Sequence, residues 1–215
     1  MNIPVIINNR NLFTWVVEMV NKIKTYEGVG EIIIIDNGSD YPPLLEWYDT
    51  SPCTIHRTEN IGHTAPWQIL GDVITNYDYV ITDADVGLLD TPSDTLLYLK
   101  DNMDSLGLDK IGLGLNWGIV KEDSLYYNHL QSYEKNRWNS AHTNNIYTDI
   151  AIDTTFALYK KGTPYFVGGA STTYPYVARH YPWEFNQETY ENNEEFKYYI
   201  KNANTSSSYK TYLNL

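Results

Sequence analysis

Four consecutive isoleucines, Ile32–Ile35, lie between Glu31 and Asp36 and constrain the fold more than any other feature of the sequence. A continuous β-branched run predicts a strand that is buried on both faces, as in a parallel sheet covered by helices. Similar runs recur at Ile3–Asn8, Cys53–Arg57, Tyr79–Thr82 and Lys110–Leu115. Because helical patterns separate these runs, the first half predicts an α/β fold with a parallel, helix-flanked sheet.

The helical patterns carry recognisable start signals. Asn11 is a candidate N-cap for a helix over Leu12–Ile23, and two prolines open a helix over Pro42–Tyr48. Further helices are predicted at Trp67–Asn76, Thr95–Met103, Leu125–Trp138 and Glu188–Lys201. In the less regular second half, Ile150–Tyr159 alternates like a strand.

Charge and cysteine content exclude several classes of protein. The 215 residues hold 15 Lys and Arg against 27 Asp and Glu, a net charge of −12, which argues against nucleic acid or an anionic membrane as partner. A phosphate-bearing ligand would need a divalent cation or local arginines to reverse this field.

Cys53 is the single cysteine, so a disulfide framework and a thiolate zinc cluster are excluded. With no 18-residue apolar run and no signal-peptide pattern, we expect a protein of the cytoplasm.

Polar residues follow the predicted strands where each one ends. They are Asn8, Asn9, Arg10, Asp36, Asn37, Arg57, Asp83 and Asp85. Ligands of open α/β sheets bind outside the carboxyl ends of the strands, so we expect these side chains to converge on one site.

Asp83-Ala84-Asp85 is the strongest single motif of this group. Residues i and i+2 of an extended segment face the same way, so both carboxylates can ligate Mg²⁺ or Mn²⁺ together with a diphosphate. Two aspartates that merely form a turn are the simpler explanation of such a pair in isolation. Asp36 can likewise accept a hydrogen bond from a base N–H or close a strand-end turn.

Together these segments resemble the GT-A-fold glycosyltransferases, most closely the inverting, family-two-like group. The resemblance is carried by Ile3–Asn9, Glu31–Asp40, Arg57–Gly62 and Tyr79–Asp85, in that order. Ile152–Tyr159 and Ala178–Trp183 are similar to segments of small glycosyltransferases, and the whole looks like the N-terminal transferase domain of chlorella-virus-encoded glycosyltransferases. The resemblance implies a mixed, mostly parallel sheet in one domain over residues 1–201, with a nucleotide-binding half (1–115) and an acceptor half (116–201). Residues 202–215 would be a polar tail or the start of a linker.

The resemblance also implies roles for individual residues. Asp36 would contact uracil, Arg57 would lie near the nucleotide, Asp83 would face the ribose and metal, and Asp85 would ligate the metal. Asn8, Asn9, Arg10, Asn37 and Ala84 would complete the donor site. His180 would be a further metal ligand or a pyrophosphate contact, although a satisfied half-buried histidine is the commoner case. Trp117, Trp138, Trp183 and Arg179 are candidate acceptor or sugar contacts, with core packing as the alternative for the tryptophans.

Asp153 lies in the region of the family's acceptor-activating base. Its apolar context predicts partial desolvation, which would raise its pKa and suit that role, whereas a structural carboxylate is the alternative. The sequence departs from the family pattern at two places. Asp153-Thr-Thr replaces the usual doubled acid, and Ala65-Pro-Trp67 replaces the usual Arg-Asn pair.

The implied activity is metal-dependent sugar transfer, with Mn²⁺ or Mg²⁺, from a UDP-linked donor to a glycan or glycoprotein acceptor. Further C-terminal domains and, for a viral protein, the host cytosol are part of that expectation.

A sugar nucleotidyltransferase would also use paired acids, but it needs a glycine-rich basic loop where this chain has Asn9-Arg10-Asn11. A non-catalytic sugar-binding module would explain the 20 Tyr and 6 Trp but not the acids at successive strand ends. A dinucleotide-dependent dehydrogenase is disfavoured because Gly28-Val-Gly30 precedes the second strand instead of following the first.

Overall fold

The computed structural model describes residues 2–131, 142–143, 145–148 and 150–203. Within these ranges a nine-stranded sheet has the order β3-β2-β1-β4-β10-β6-β11-β9-β8, and a small second sheet has the order β5-β12-β7. The strands are β1 (Ile3–Asn9), β2 (Val29–Asn37), β3 (Thr54–Thr58), β4 (Tyr79–Asp83), β5 (Val86–Gly87), β6 (Lys110–Gly112), β7 (Gly114–Leu115), β8 (His142–Thr143), β9 (Ile146–Thr148), β10 (Ala157–Tyr159), β11 (Ala170–Thr172) and β12 (Val177–His180).

Helices flank the large sheet. They are α1 (Phe13–Ile23), α2 (Pro42–Tyr48), α3 (Ala65–Ile69), α4 (Gly71–Asn76), α5 (Thr95–Ser105), α6 (Gln187–Glu191) and α7 (Glu194–Asn202). Two short 3₁₀ turns, Trp117–Ile119 and Tyr181–Glu184, follow β7 and β12. The predicted fold class, an α/β protein with a mostly parallel central sheet flanked by helices, is confirmed.

The connections of the parallel half define where a ligand can bind. β1 pairs in parallel with β2 on one side and with β4 on the other, and β2 pairs in parallel with β3. The chain therefore reverses its direction of travel across the sheet between β1 and β4. Such a switch point opens a crevice at the carboxyl ends of the two strands.

The isoleucine run of β2 explains why this strand lies inside the sheet. Ile34 packs with the core on one face, whereas Ile33 and Ile35 pack with a second apolar cluster on the other, and all three are buried. Each such side chain contributes about 1.5–3 kcal/mol of burial. The run has no polar alternation because neither face of β2 meets water.

Several predicted element boundaries are wrong for local reasons. Asn11 is not an N-cap: Leu12 precedes α1, and Asn11 has a left-handed φ of 56°. Its side-chain oxygen instead accepts the backbone N–H groups of Asp40 and Tyr41, at 2.8 and 3.0 Å. The helix predicted over Trp67–Asn76 is two helices, α3 and α4, that meet at Leu70.

Three further predictions need correction. The closing helix is divided into α6 and α7, because the Asn193 side chain caps α7 by accepting the N–H of Phe196 at 2.8 Å. The run Lys110–Leu115 is divided between β6 and β7, which belong to different sheets. Of the predicted helix Leu125–Trp138, residues 127–131 are helical, and residues 132–138, including Trp138, lie outside the described residues.

No helix in the described part of the chain is both long and apolar enough to cross a lipid bilayer.

Candidate functional site

The registers of the parallel strands align the predicted polar residues at one edge of the sheet. Asn9 of β1 is opposite Asp36 of β2, and Asp36 is opposite Arg57 of β3. On the other side of β1, Asn8 is opposite Asp83 of β4. Because neighbouring strands lie about 4.8 Å apart, these five residues form one continuous row, which we call the rim.

Asp36 and Asn9 form a buried floor at the centre of the rim. Asp36 is 3% exposed, and its Oδ1 accepts the N–H of Ser39 at 3.1 Å. Burial raises the pKa of this carboxyl, and the positive charges of Arg57 and Arg10 oppose the shift. Asn9 donates from Nδ2 to the Tyr48 hydroxyl at 3.1 Å. The floor therefore carries acceptor groups that are held in place and shielded from water.

Two amide oxygens of β1 are buried without a hydrogen-bond partner in the described part of the chain. They are the Oδ1 atoms of Asn8 and Asn9. Buried polar atoms in native proteins are nearly always hydrogen-bonded, so an unpartnered one calls for an explanation. Both atoms lie at the carboxyl end of β1 but on opposite faces of the strand, so a ligand on the face of Asp36 would meet the Asn9 oxygen and not the Asn8 oxygen.

Arg10 and Asn37 are engaged with backbone atoms of the chain. The Arg10 guanidinium donates to the carbonyl of Asn202, at the end of α7, at 2.6 Å. Asn37 holds the loop after β3: it accepts the N–H of Ile61 at 2.8 Å and donates to the carbonyl of Gly62 at 2.9 Å. These contacts give both residues a structural role, and their predicted contacts with a nucleotide remain predictions.

Arg57 lies at the outer end of the rim. Its Nη2 is 3.8 Å from Asp49 Oδ1, and its guanidinium carbon is 5.6 Å from the centre of the Tyr48 ring. The side chain is 54% exposed, so it remains accessible to a ligand bound over Tyr48.

Asp83 is the most perturbed carboxyl of the site. The Thr154 hydroxyl donates to its Oδ2, and the Asp83 N–H donates to the carbonyl of Thr154 at 3.1 Å. Burial and the negative charges of Asp85 and Asp153 raise the pKa of Asp83 well above its usual range. The surroundings therefore disfavour the ionised form of Asp83, and a cation bound nearby would favour it again.

Asp85 lies beside His180. His180 pairs with Val86 across β12 and β5, and the N–H of Tyr181 donates to the Asp85 carbonyl at 3.0 Å. His180 Nε2 is then 3.8 Å from Asp85 Oδ2. Burial lowers the pKa of His180, although Asp85 opposes the shift, so the ring is held as neutral imidazole, the form that binds metals.

Asp85 and His180 are the two side chains here that could hold a divalent cation together with a substrate. Metal–ligand distances of about 2.0–2.2 Å let one ion touch two donors up to about 4.2 Å apart, which includes the Asp85–His180 pair. Within the described ranges, no group of three or more His, Cys, Asp or Glu side chains could hold an ion. Mg²⁺ commonly binds through one or two carboxylates, with water and substrate phosphates completing its shell.

Small and aromatic residues surround this pair. Ala84, between the two aspartates, is 1% exposed and packs in the core, so only its backbone can face a donor. The Trp183 ring lies 4.6 Å from the His180 ring, centre to centre. Trp183 is partly buried and packs against the core, as the alternative explanation of this residue expects, and its contact with a sugar stays a prediction.

The structure corrects the reasoning that led to Asp153. The predicted strand Ile150–Tyr159 begins only at Ala157, and Asp153 is an exposed residue of the preceding loop. The expected desolvation of Asp153 is therefore wrong. Instead, the Tyr165 hydroxyl is hydrogen-bonded to Asp153, and burial together with the Asp153 charge raises the pKa of Tyr165 to about 12. Asp153 is accessible, oriented by a tyrosine and electrostatically coupled to Asp83.

The two remaining acceptor candidates lie apart from this centre. Arg179 precedes His180 in β12 and so points to the opposite face, where its Nε donates to Glu184 Oε1 at 2.8 Å. Trp117, together with Tyr147 and Tyr174, lines a cavity of about 440 Å³ beside Val177. Val177 is three residues before His180 in β12, a separation of roughly 10 Å along the strand.

Sequence reasoning missed three side chains that shape the site. Thr154 positions Asp83, Tyr165 orients Asp153, and Tyr48 closes the floor beside Asn9. The sequence contained one partial signal, because Thr154 stands where the family pattern has an acid. No spacing marks Tyr48 or Tyr165, since each reaches the site from an element that carries no motif.

No family model and no curated protein matches the chain. Among solved structures, S. aureus TarS 1–349 has 12% identity at a TM-score of 0.46, over 75% of this chain and 47% of that one. The CMP:2-keto-3-deoxy-manno-octonic acid synthetase complexed with CTP has 13% identity at 0.40, over 53% of this chain and 52% of that one. A 4-diphosphocytidyl-2C-methyl-D-erythritol synthase has 10% identity at 0.40, over 99% of both chains.

This chain thus spans about half the length of the first two proteins. Because all three TM-scores lie below 0.5, these likenesses do not decide between a glycosyltransferase and a nucleotidyltransferase. The resemblance to a chlorella-virus-encoded protein, the domain boundaries and the location in the cytoplasm stay predictions.

Proposed function

We propose that this chain is a metal-dependent glycosyltransferase that moves a sugar from a UDP-linked donor to a hydroxyl of a glycan or glycoprotein, with inversion. The observation that supports it best is the alignment of Asn9, Asp36 and Arg57 along one rim, with Asp83 and Asp85 at the adjacent strand end. Acceptors for a base and acids for a cation thus lie at one switch point.

The floor of the rim suits the base of the donor. Uracil presents one N–H between two carbonyl oxygens, and Asp36 offers a buried carboxylate oxygen to accept that N–H. Arg57 lies over the ring of Tyr48, where its guanidinium can face a ribose or a carbonyl oxygen. The amide oxygen of Asn9, on the same face of the sheet as Asp36, supplies a further acceptor.

The diphosphate of the donor would otherwise be repelled by a chain of net charge −12. We assign Asp85 and His180, with Asp83 behind them, as the residues that hold Mn²⁺ or Mg²⁺ there. The bound cation would neutralise charge on the leaving diphosphate. His180 contributes by staying neutral, and Thr154 contributes by fixing the Asp83 carboxyl.

Asp153 is assigned as the base. Its carboxylate takes the proton of the acceptor hydroxyl as that oxygen bonds to the anomeric carbon, and the bond from this carbon to the diphosphate oxygen breaks. Attack opposite the leaving group gives inversion. Contact of Trp183 with the transferred sugar is part of the proposal, as are acceptor contacts by Trp117 and Arg179.

The loop after β1 disfavours the nucleotidyltransferase alternative. It consists of Arg10, Asn11 and Leu12, has no glycine, and engages Arg10 with the carbonyls of Gly38 and Asn202. A triphosphate therefore lacks the glycine-rich cradle that such enzymes provide. A nucleotidyltransferase would release pyrophosphate from a nucleoside triphosphate, whereas the proposed reaction releases a nucleoside diphosphate.

Calorimetric titration of UDP with and without Mn²⁺ tests the proposal. UDP should bind only with the ion, and Asp85→Ala should weaken binding at least 30-fold, about 2 kcal/mol. Asp101→Ala is the matched control because it removes the same charge from an exposed position of α5. Equal affinity in wild type and Asp85→Ala would remove the proposed cation site, and the absence of Mn²⁺-stimulated hydrolysis of every UDP-sugar would favour a sugar-binding module.

A further inference from the structure

Lys110 is a buried lysine outside the rim. It begins β6 and is 1% exposed, and no other lysine or arginine of the described residues is buried. Burying an ammonium group is costly unless hydrogen bonds and charge interactions compensate for the lost water. The contacts of Lys110 therefore indicate what this group contributes to the fold.

The ammonium is held by carbonyl oxygens and aromatic rings. Nζ donates to the carbonyl of Ile152 at 2.9 Å and to the carbonyl of Phe166 at 2.8 Å. It also lies 4.7 Å from the centre of the Tyr159 ring and 5.1 Å from the centre of the Phe166 ring. Cation–π attraction and charge-assisted hydrogen bonds together offset part of the lost hydration.

The two carbonyls belong to the chain neighbours of the proposed base and of its tyrosine. Ile152 precedes Asp153, and Phe166 follows Tyr165, whose hydroxyl is hydrogen-bonded to Asp153. Lys110 thus bridges the backbones of two loops. The side chains of Asp153 and Tyr165, which neighbour the two bonded carbonyls in the sequence, contact each other. We call residues 150–153 and 163–169 the paired loops.

Backbone contacts join the same two loops. The N–H of Gly168 donates to Ile152 at 3.1 Å, and the N–H of Ile150 donates to Gly169 at 3.2 Å. A Cβ on Gly169 would lie 2.7 Å from the Lys110 carbonyl oxygen, so this loop packs directly on the backbone of β6. Lys110 therefore contacts the paired loops through both its backbone and its side chain.

We infer that Lys110 is a positioning residue, which fixes Asp153 and Tyr165 by holding the carbonyls of Ile152 and Phe166. This inference rests on the proposed function, in which Asp153 is the base. The Asp153 charge partly opposes the lowering of the Lys110 pKa by burial, so the two groups are also coupled electrostatically. Lys110 does not touch the substrate in this assignment and acts only through Asp153.

The test compares Lys110→Met in two backgrounds. Alone, it should lower kcat at least tenfold and leave the Kd for the nucleotide donor within twofold of wild type. In Asp153→Asn, where the base is already lost, the same change should lower kcat less than twofold further. Unchanged kcat in the single variant, or an equal tenfold loss in both backgrounds, would overturn the inference, because a merely structural lysine acts alike in each.

Lys22→Met is the matched control. The Lys22 ammonium also donates to a carbonyl, that of Thr91 at 2.6 Å, and lies 5.7 Å from the centre of the Tyr26 ring. These contacts, with Thr91 and Tyr26, lie outside the paired loops, so kcat should stay within twofold of wild type. A tenfold loss of kcat in this control would overturn the assignment of a specific role to Lys110.

Amide hydrogen exchange tests the paired loops independently of activity. Exchange at Gly168 and Ile150 should become at least tenfold faster in Lys110→Met and stay unchanged in Lys22→Met. If Lys110→Met does not fold, Lys110→Arg replaces it and should keep slow exchange at both amides, because it retains the charge. Fast exchange in the arginine variant, or wild-type exchange in Lys110→Met, would overturn the inference. Wild-type protein that transfers no sugar would instead refute the proposed function.

Discussion

Raising the pH should stabilise this protein through Lys110. Burial lowers the pKa of its ammonium from 10.5 to about 8, although the charge of Asp153 opposes the shift. Between these two values the unfolded chain holds a proton that the native chain has lost. Stability rises with pH wherever the unfolded state binds more protons, so this contribution grows through the window from about 8 to 10.5 and is absent below it.

The expected size follows from the two pKa values. Between pH 7 and pH 10 the native state gains about 2–3 kcal/mol from this one group. Urea unfolding of wild type and Lys110→Met over that pH range isolates the contribution of Lys110. The tyrosines and other groups titrate in both proteins, so their contributions cancel in the difference.

The result of interest is the difference between the two unfolding free energies. It should increase in favour of wild type as the pH rises, by about 2–3 kcal/mol. A flat curve for Lys110→Met would refute the claim that the native fold holds this ammonium away from water at a cost.

Two other changes probe the core and the site. Ile34→Ala should lower the free energy of unfolding by about 2–5 kcal/mol in urea titrations, since the side chain is fully buried. For the exposed Ile69, the change to alanine should cost less than about 1 kcal/mol. A loss as small as that in Ile34→Ala would contradict the burial of β2. Thr154→Val should weaken Mn²⁺-dependent UDP binding about tenfold in calorimetry, because Asp83 loses the hydroxyl that orients it. Wild-type affinity in that variant would exclude Thr154 from the binding site.

The parallel half of the sheet was predictable because its signals are local. The isoleucines of β2 are buried on both faces of the sheet. A strand of this kind has an uninterrupted run of apolar residues, which can be recognised in the sequence. Parallel strands also end at a common edge, which is why Asp36 and Asp83 could be assigned to one rim before their registers were known.

The second half was less predictable because its contacts are long-range. Asp153 sits in an apolar stretch of sequence, yet its loop turns the carboxylate to the surface and buries Ile152 and Thr154 on either side. Alternation along the chain cannot reveal which face of a loop meets water. The Tyr165–Asp153 contact likewise depends on how the two paired loops pack on β6, which no pattern of residues encodes.

The unpartnered amide oxygens of Asn8 and Asn9 have a consequence for selectivity. An oxygen of this kind has already lost its water on folding. A ligand that donates a hydrogen bond to it therefore binds more tightly than a ligand that does not. Pockets built in this way discriminate more strongly against a missing donor than against an added methyl group. In the proposed enzyme, selectivity among nucleobases would then come from weaker binding of rings that are N-methylated or that carry only hydrogen-bond acceptors.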